Sequence, residues 1–130
     1  MKSPAILVVD DHPIMREVIC QILEDAGYEV RSAVEGNDAL RALSHTRFDL
    51  VVTDIVMPHM DGIELIGELR RRYPDVRIIA MSGGDERIPI KDGLSIARRL
   101  GAGTTLTKPF HPGQLLEAIE SLLPSHAMAV

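Results

Sequence analysis

The sequence contains no tryptophan, and only 3% of it is aromatic, so the core of any fold it adopts must be aliphatic. It has one cysteine, Cys20, which excludes an internal disulfide framework and agrees with a reducing compartment. No apolar run approaches the length of a membrane span. The opening residues, "MKSPAILVVDDHP", are not a signal peptide, because the apolar stretch is short and two acids follow it directly. Excess positive charge is also missing. The net charge of -5 provides neither the basic footprint of a nucleic-acid binder nor a polybasic membrane patch. These absences predict a cytoplasmic protein with no nucleic-acid and no membrane partner.

What is present is ordinary for a globular chain. The 130 residues are 45% apolar and 25% charged, enough for one domain with a sizeable core. Apolar strand-like runs alternate with helix-like stretches throughout. Strands are predicted over Ala5 to Val9, Glu29 to Ala33, Phe48 to Thr53, Val76 to Met81 and Thr104 to Thr107.

Between them lie helical patterns. The first runs from Pro13 to Ala26, with Ile14, Met15, Val18, Ile19, Ile22 and Ala26 on one face and Cys20 on the polar arc. Pro13 suits its first turn and Gly27 its stop. A short helix over Asp38 to Ser44 follows. The third runs from Gly62 to Tyr73, with Leu65, Ile66, Leu69 and Tyr73 inward, and the fourth from Ile90 to Leu100. Pro112 opens a last helix with Leu115, Ala118, Ile119 and Leu122 inward.

Strands that are apolar on both faces and separated by helices imply a parallel sheet covered on both sides. Five such units suit a flavodoxin-like, doubly wound α/β fold with strand order 2-1-3-4-5. The reading is one domain over 1–130, with a core of about 5–123, a tail at 124–130 expected to fray, and no output domain.

Ligands in open parallel sheets bind at the carboxyl ends of the strands. The polar residues that interrupt apolar runs all fall there: Asp10 and Asp11 after strand one, Asp54 at strand three, Ser82 after strand four and Lys108 after strand five. Three clustered acids repel one another. A hard divalent cation with a preference for oxygen, such as Mg2+, resolves this. A lysine ammonium and a serine hydroxyl beside it would meet phosphoryl oxygens. The set suits phosphoryl transfer, in which one carboxylate can itself be the nucleophile.

In "VVDD" (8–11), "DIVMPHMDG" (54–62), "MSG" (81–83) and "LTKPF" (106–110), the chain resembles the receiver domain of two-component response regulators, of the stand-alone type. The likeness runs from about Ala5 to Leu123. It implies that Asp54 is the phosphoacceptor. It also implies that Asp10, Asp11, Asp54 and the backbone carbonyl of Val56 hold Mg2+, with Mn2+ able to substitute. Ser82 would be the switch hydroxyl, and Lys108 would pair with a phosphoryl oxygen across a cis bond to Pro109. The implied partners are a sensor histidine kinase or a His phosphotransfer protein, and an effector on the face of helix four, strand five and helix five. A homodimer formed on phosphorylation also belongs to the family's repertoire.

Three features depart from the pattern. Thr105 occupies the position of the switch aromatic, so readout must take another route, through its hydroxyl or a backbone shift. The loop after strand four, "SGGDERIPIKDG", is longer than usual, and Gly83 and Gly84 give it backbone freedom. Val56 and Gly84 lack the polar side chains that often align the hydrolytic water, which implies slow self-dephosphorylation.

Bland roles are expected for other residues. Asp61 reads as a helix cap, Met57, Pro58 and Met60 as loop packing, His12 and His59 as solvated loop histidines, and Arg87 and Lys91 as solvated charges. Two rivals compete with the receiver reading. A Mg2+ phosphatase with an aspartyl nucleophile commonly has a second acid two residues on, where this chain has Val56. A flavodoxin-like cofactor module would need a phosphate-cradling loop where this chain has "DDH". Whether a receiver of this kind drives an effector, relays its phosphoryl group or drains a kinase is not decided by these residues.

Overall fold

The computed structural model describes residues 3–55, 62–82 and 90–123, and side-chain surroundings are described for 3–55, 62–82 and 95–123. Ten elements alternate: β1 (Ala5–Val9), α1 (Pro13–Asp25), β2 (Glu29–Ala33), α2 (Gly36–His45), β3 (Leu50–Asp54), α3 (Gly62–Arg72), β4 (Arg77–Ser82), α4 (Ile90–Leu100), β5 (Thr104–Thr107) and α5 (Pro112–Leu122). All strand pairs are parallel and the sheet order is β2-β1-β3-β4-β5, as the pattern predicts.

The period of two along each strand divides the core into two layers. Leu7, Val9, Val51, Ile78 and Ala80 pack beneath α2, α3 and α4, against Ala39, Leu43, Leu65, Leu69 and Ala97. Ile6, Val8, Val52, Ile79 and Met81 pack on the other side against Ile19 and Leu23 of α1 and Leu115 and Ile119 of α5. Each fully buried aliphatic side chain of this kind contributes about 1.5–3 kcal/mol. No helix among the described residues is long and apolar enough to cross a membrane.

Element ends differ from the sequence reading in ways that matter. β3 and β4 run one residue further than expected, so Asp54 and Ser82 are the last residues of strands rather than the first of loops. Their backbones still belong to the ladder, with Asp54 opposite Met81 and Ser82 opposite Thr107. α2 begins earlier, at Gly36, because the Ala39 N–H already bonds to the Glu35 carbonyl at 3.0 Å.

The predicted face of α1 is too wide. Ile14 and Val18 are 79% and 48% exposed, while Ile19 and Leu23 are fully buried. At about 100° per residue, Ile14 lies roughly 160° and Val18 roughly 120° from the centre of the stripe formed by Ile19 and Leu23, beyond what one sheet contact covers. α1 ends where Gly27 takes a φ of 95°, a left-handed conformation suited to glycine.

α3 starts under a tight constraint. The Gly62 N–H bonds to the Ile55 carbonyl at 2.6 Å, drawing the helix start against the end of β3. A Cβ at Gly62 would overlap the Asp54 carbonyl oxygen and stand 2.7 Å from the Ile55 Cα. Both obstacles are backbone and cannot yield without moving Asp54. Gly67, one turn on, has open space where its Cβ would be. The two glycines should therefore respond oppositely to alanine. Gly62→Ala is expected to lower stability by about 2–3 kcal/mol, and Gly67→Ala to raise it by about 0.5–1 kcal/mol, both read from urea denaturation midpoints. Shifts of the same sign would contradict the close approach at Gly62.

Candidate functional site

Among the described residues the buried polar side chains are Asp10, Thr53, Asp54 and Ser82. All four lie at the carboxyl ends of β1, β3 and β4. Burial of a carboxylate is costly unless it is paired, so the pairing defines the site.

Lys108 follows β5 and supplies it. Its Nζ donates to Asp54 Oδ2 at 2.9 Å and to Asp10 Oδ2 at 3.2 Å. The lysine side chain is only 11% exposed, and Asp10 is wholly buried. Burial is the largest single influence on the ammonium and works against its charge. The hydrogen bond and charge of Asp54, with the charge and hydrogen bond of Asp10, together outweigh it and hold the pKa above its ordinary 10.5. The backbone at Lys108 is also fixed, since its N–H bonds to the Ser82 carbonyl at 2.8 Å. The Lys108–Pro109 peptide bond is cis, as the resemblance implies.

Asp10 is further anchored. Its Oδ1 accepts the His12 N–H at 2.9 Å, and its carbonyl accepts from the Arg16 guanidinium at 2.8 Å. Asp11 is less well served. Its Oδ1 is buried and accepts no hydrogen bond among the described residues. The His12 ring lies 3.4 Å from it and 3.4 Å from Asp10 Oδ1, within ion-pair reach but too poorly placed to be a hydrogen bond.

One donor atom from each of Asp10, Asp11, His12 and Asp54 lies within 4.8 Å of the others. Three carboxylates against one ammonium leave two negative charges in a largely buried space. That imbalance, with the unsatisfied Asp11 oxygen, fits a divalent cation held by oxygen ligands.

Asp10, Asp11, Asp54 and Lys108 are thus brought together, with Ser82 buried at the adjacent strand end. Thr105 is not among them. It lies opposite Ala80, further down β5, where its Oγ1 accepts from the Arg98 guanidinium of α4 at 2.9 Å. Val56, Met57, Pro58, His59, Met60, Asp61, Gly83, Gly84, Arg87 and the tail at 124–130 lie outside the described residues, as does the side chain of Lys91.

Sequence reasoning missed three supports and understated a fourth residue. Thr53 is buried with its hydroxyl bonded to the Asp54 carbonyl at 2.9 Å. Arg16 holds Asp10, and Gly62 admits the helix start behind Asp54. His12 is solvated as expected, 69% exposed, yet its ring reaches both acids. The only signal for the first two was a polar residue inside an apolar strand and a cation in the first turns of α1.

Comparison with known proteins agrees with this geometry. The response regulator receiver domain family matches residues 6–120. The chain is 32% identical over 118 residues to the chemotaxis protein CheY of Thermotoga maritima, covering 90% of this chain and 95% of that protein. It is 36% identical over 126 residues to the DNA-binding transcriptional regulator NtrC of Azospirillum brasilense, covering 97% of this chain but spanning only 25% of that regulator's length. Among solved structures, a CheY-like receiver domain protein from Methanospirillum hungatei superposes with a TM-score of 0.86 at 29% identity, covering 99% of this chain and 100% of the other. CheY4 of Vibrio cholerae gives 0.81 at 32%, covering 92% and 98%. The fold, the acids at the strand ends and the extent of the match agree: this chain belongs to the response regulator receiver domain family.

Proposed function

We propose that the protein is a phosphorylation switch in which Asp54 accepts a phosphoryl group from a phosphohistidine on a sensor kinase or phosphotransfer protein. The observation that carries this reading is the Lys108 ammonium seated between Asp54 and Asp10, residues far apart in the chain. In the transfer, an Asp54 carboxylate oxygen forms the new O–P bond as the N–P bond to the donor histidine breaks. The departing imidazole takes a proton from solvent.

Little covalent work falls to the protein, which positions groups and neutralises charge. Lys108 exchanges its contact with the carboxylate for one with a phosphoryl oxygen. The Ser82 hydroxyl follows the phosphoryl group from the neighbouring strand end. Asp10, Asp11, Asp54 and the Val56 carbonyl are the residues that would hold Mg2+, or Mn2+ in its place. When bound, the ion would neutralise charge on the transferring phosphoryl oxygens.

Readout then passes to an effector protein at the face formed by α4, β5 and α5, with the Arg98–Thr105 hydrogen bond coupling β5 to α4 in place of an aromatic rotamer. With Val56 and Gly84 where polar side chains often stand, the phosphorylated form is long-lived.

Two expectations follow from this chemistry. Incubated with Mg2+ and an acyl phosphate donor, the protein should take up one phosphoryl group, labile to hydroxylamine and seen by intact mass. Asp54→Ala should take up none. Sustained turnover of phosphate esters by the unmodified chain would instead indicate a phosphatase.

The second concerns Lys108→Met, which strands two buried carboxylates and should cost about 3 kcal/mol at neutral pH. The folded pKa of Lys108 lies above 10.5, so its stabilisation is complete below that pH and is lost as pH rises through the folded value. The gap in unfolding free energy between the two proteins should therefore hold steady up to about that pH and narrow above it. A gap that widened in alkali would contradict the buried ion pair.

A further inference from the structure

We propose that His12 is a further ligand of the cation site, contributing an imidazole nitrogen that tilts its preference toward borderline transition metals. The inference rests on the reading of Asp11 and Asp54 as cation ligands and adds to it a residue and a selectivity.

His12 stands at the N-cap of α1, where a side chain ordinarily serves the helix, yet it makes no capping hydrogen bond. Its backbone is instead committed to the site. The His12 N–H donates to Asp10 Oδ1, and Pro13, next in the chain, holds the His12 backbone extended. The ring stands beside the acids, with Nδ1 3.4 Å from Asp11 Oδ1. Two donors bound to one metal at about 2.0–2.2 Å stand roughly 2.8–3.1 Å apart at octahedral angles and roughly 3.3–3.6 Å apart at tetrahedral angles. The 3.4 Å separation of these two atoms falls in the tetrahedral range and a few tenths of an ångström outside the octahedral one.

Asp10 is already engaged, by Lys108 on one oxygen and by the His12 N–H on the other. Asp11 Oδ1, buried and without a hydrogen bond among the described residues, is the oxygen still in need of a partner. A ring nitrogen of His12 and one oxygen from each of Asp10, Asp11 and Asp54 lie within 4.8 Å of one another. The ring is 69% exposed, so its approach to a metal needs no rearrangement of the core.

An all-oxygen site favours hard ions such as Mg2+. An imidazole adds little for Mg2+ but much for Ni2+ and Zn2+, whose affinities for nitrogen donors stand higher in the divalent series. The chain should therefore discriminate less against Ni2+ than a receiver site built from oxygen alone.

The test is calorimetric titration of the full chain with Mg2+ and separately with Ni2+, at one near-neutral pH, for the unmodified protein, His12→Ala and Asp11→Asn. His12→Ala is expected to weaken Ni2+ binding about tenfold or more while changing Mg2+ binding less than about twofold. Pulsed EPR of the Mn2+-loaded protein should show a histidine nitrogen coupling that His12→Ala abolishes, which separates this residue from the other histidines. Equal loss for both ions, or a nitrogen signal that survives the substitution, overturns the role of His12. Mg2+ binding that is absent, or untouched in Asp11→Asn, overturns the cation site itself. Thermal unfolding of His12→Ala should match the unmodified chain, since the ring is 69% exposed.

Discussion

The Lys108 ammonium is the contact on which the upper edge of the sheet depends. It joins the end of β5 to the ends of β3 and β1, passing over β4. Removing charges from water is expensive, and a buried ion pair often does no better than apolar packing. Relative to apolar packing the pair gains little, although breaking it by removing one partner is costly. It makes a buried cluster of carboxylates tolerable, and it leaves that cluster two charges short of neutral. A core that ends in an unbalanced charge is a core built to receive something charged.

The surrounding structure holds that imbalance in place. Thr53 ties the backbone of Asp54, and Arg16 ties that of Asp10. Gly62 allows α3 to begin directly against the Asp54 carbonyl, where any side chain would push the carboxylate out of line. The strands beneath are aliphatic on both faces, so displacing Asp54 along its axis would drag Val51 and Val52 out of opposite core layers. Asp54 is thus positioned by packing below and by hydrogen bonds around it.

Most of this was legible in the sequence for a simple reason. Asp10, Asp54, Ser82 and Lys108 each interrupt an apolar run, and a parallel sheet brings all such interruptions to one edge. Strand order and core layers followed from the alternation of patterns. Boundaries were less legible: the predicted strands stop at Thr53 and Met81 because the next residue is polar, yet the backbones of Asp54 and Ser82 still pair in the ladder. The helix face of α1 was overdrawn because Ile14 and Val18 have the residue type of the core without its direction. Arg16 and Thr53 stayed hidden, and the reach of the His12 ring to both acids went unread, because a polar residue type does not reveal which backbone group or which carboxylate it meets.

The two sides of the sheet are not built alike, and the difference bears on signalling. β3 is buried along its whole length, whereas β5 is partly exposed at Thr104, Thr105 and Leu106 and exposed at Thr107. Its pairing partner on one side is β4, and among the described residues its other edge has no strand. Elements with fewer buried apolar contacts open and shift at lower free energy than the core. A charge arriving at Asp54 would draw Lys108 and Ser82, which end β5's side of the sheet, rather than β3. Under the proposed switch the consequence would follow the least buried strand to Thr105, which a hydrogen bond joins to Arg98 of α4. An aromatic side chain at that position would report the shift by its own rotation. A threonine hydroxyl could report it only by making or losing a bond, and the bond it makes here is the one to Arg98.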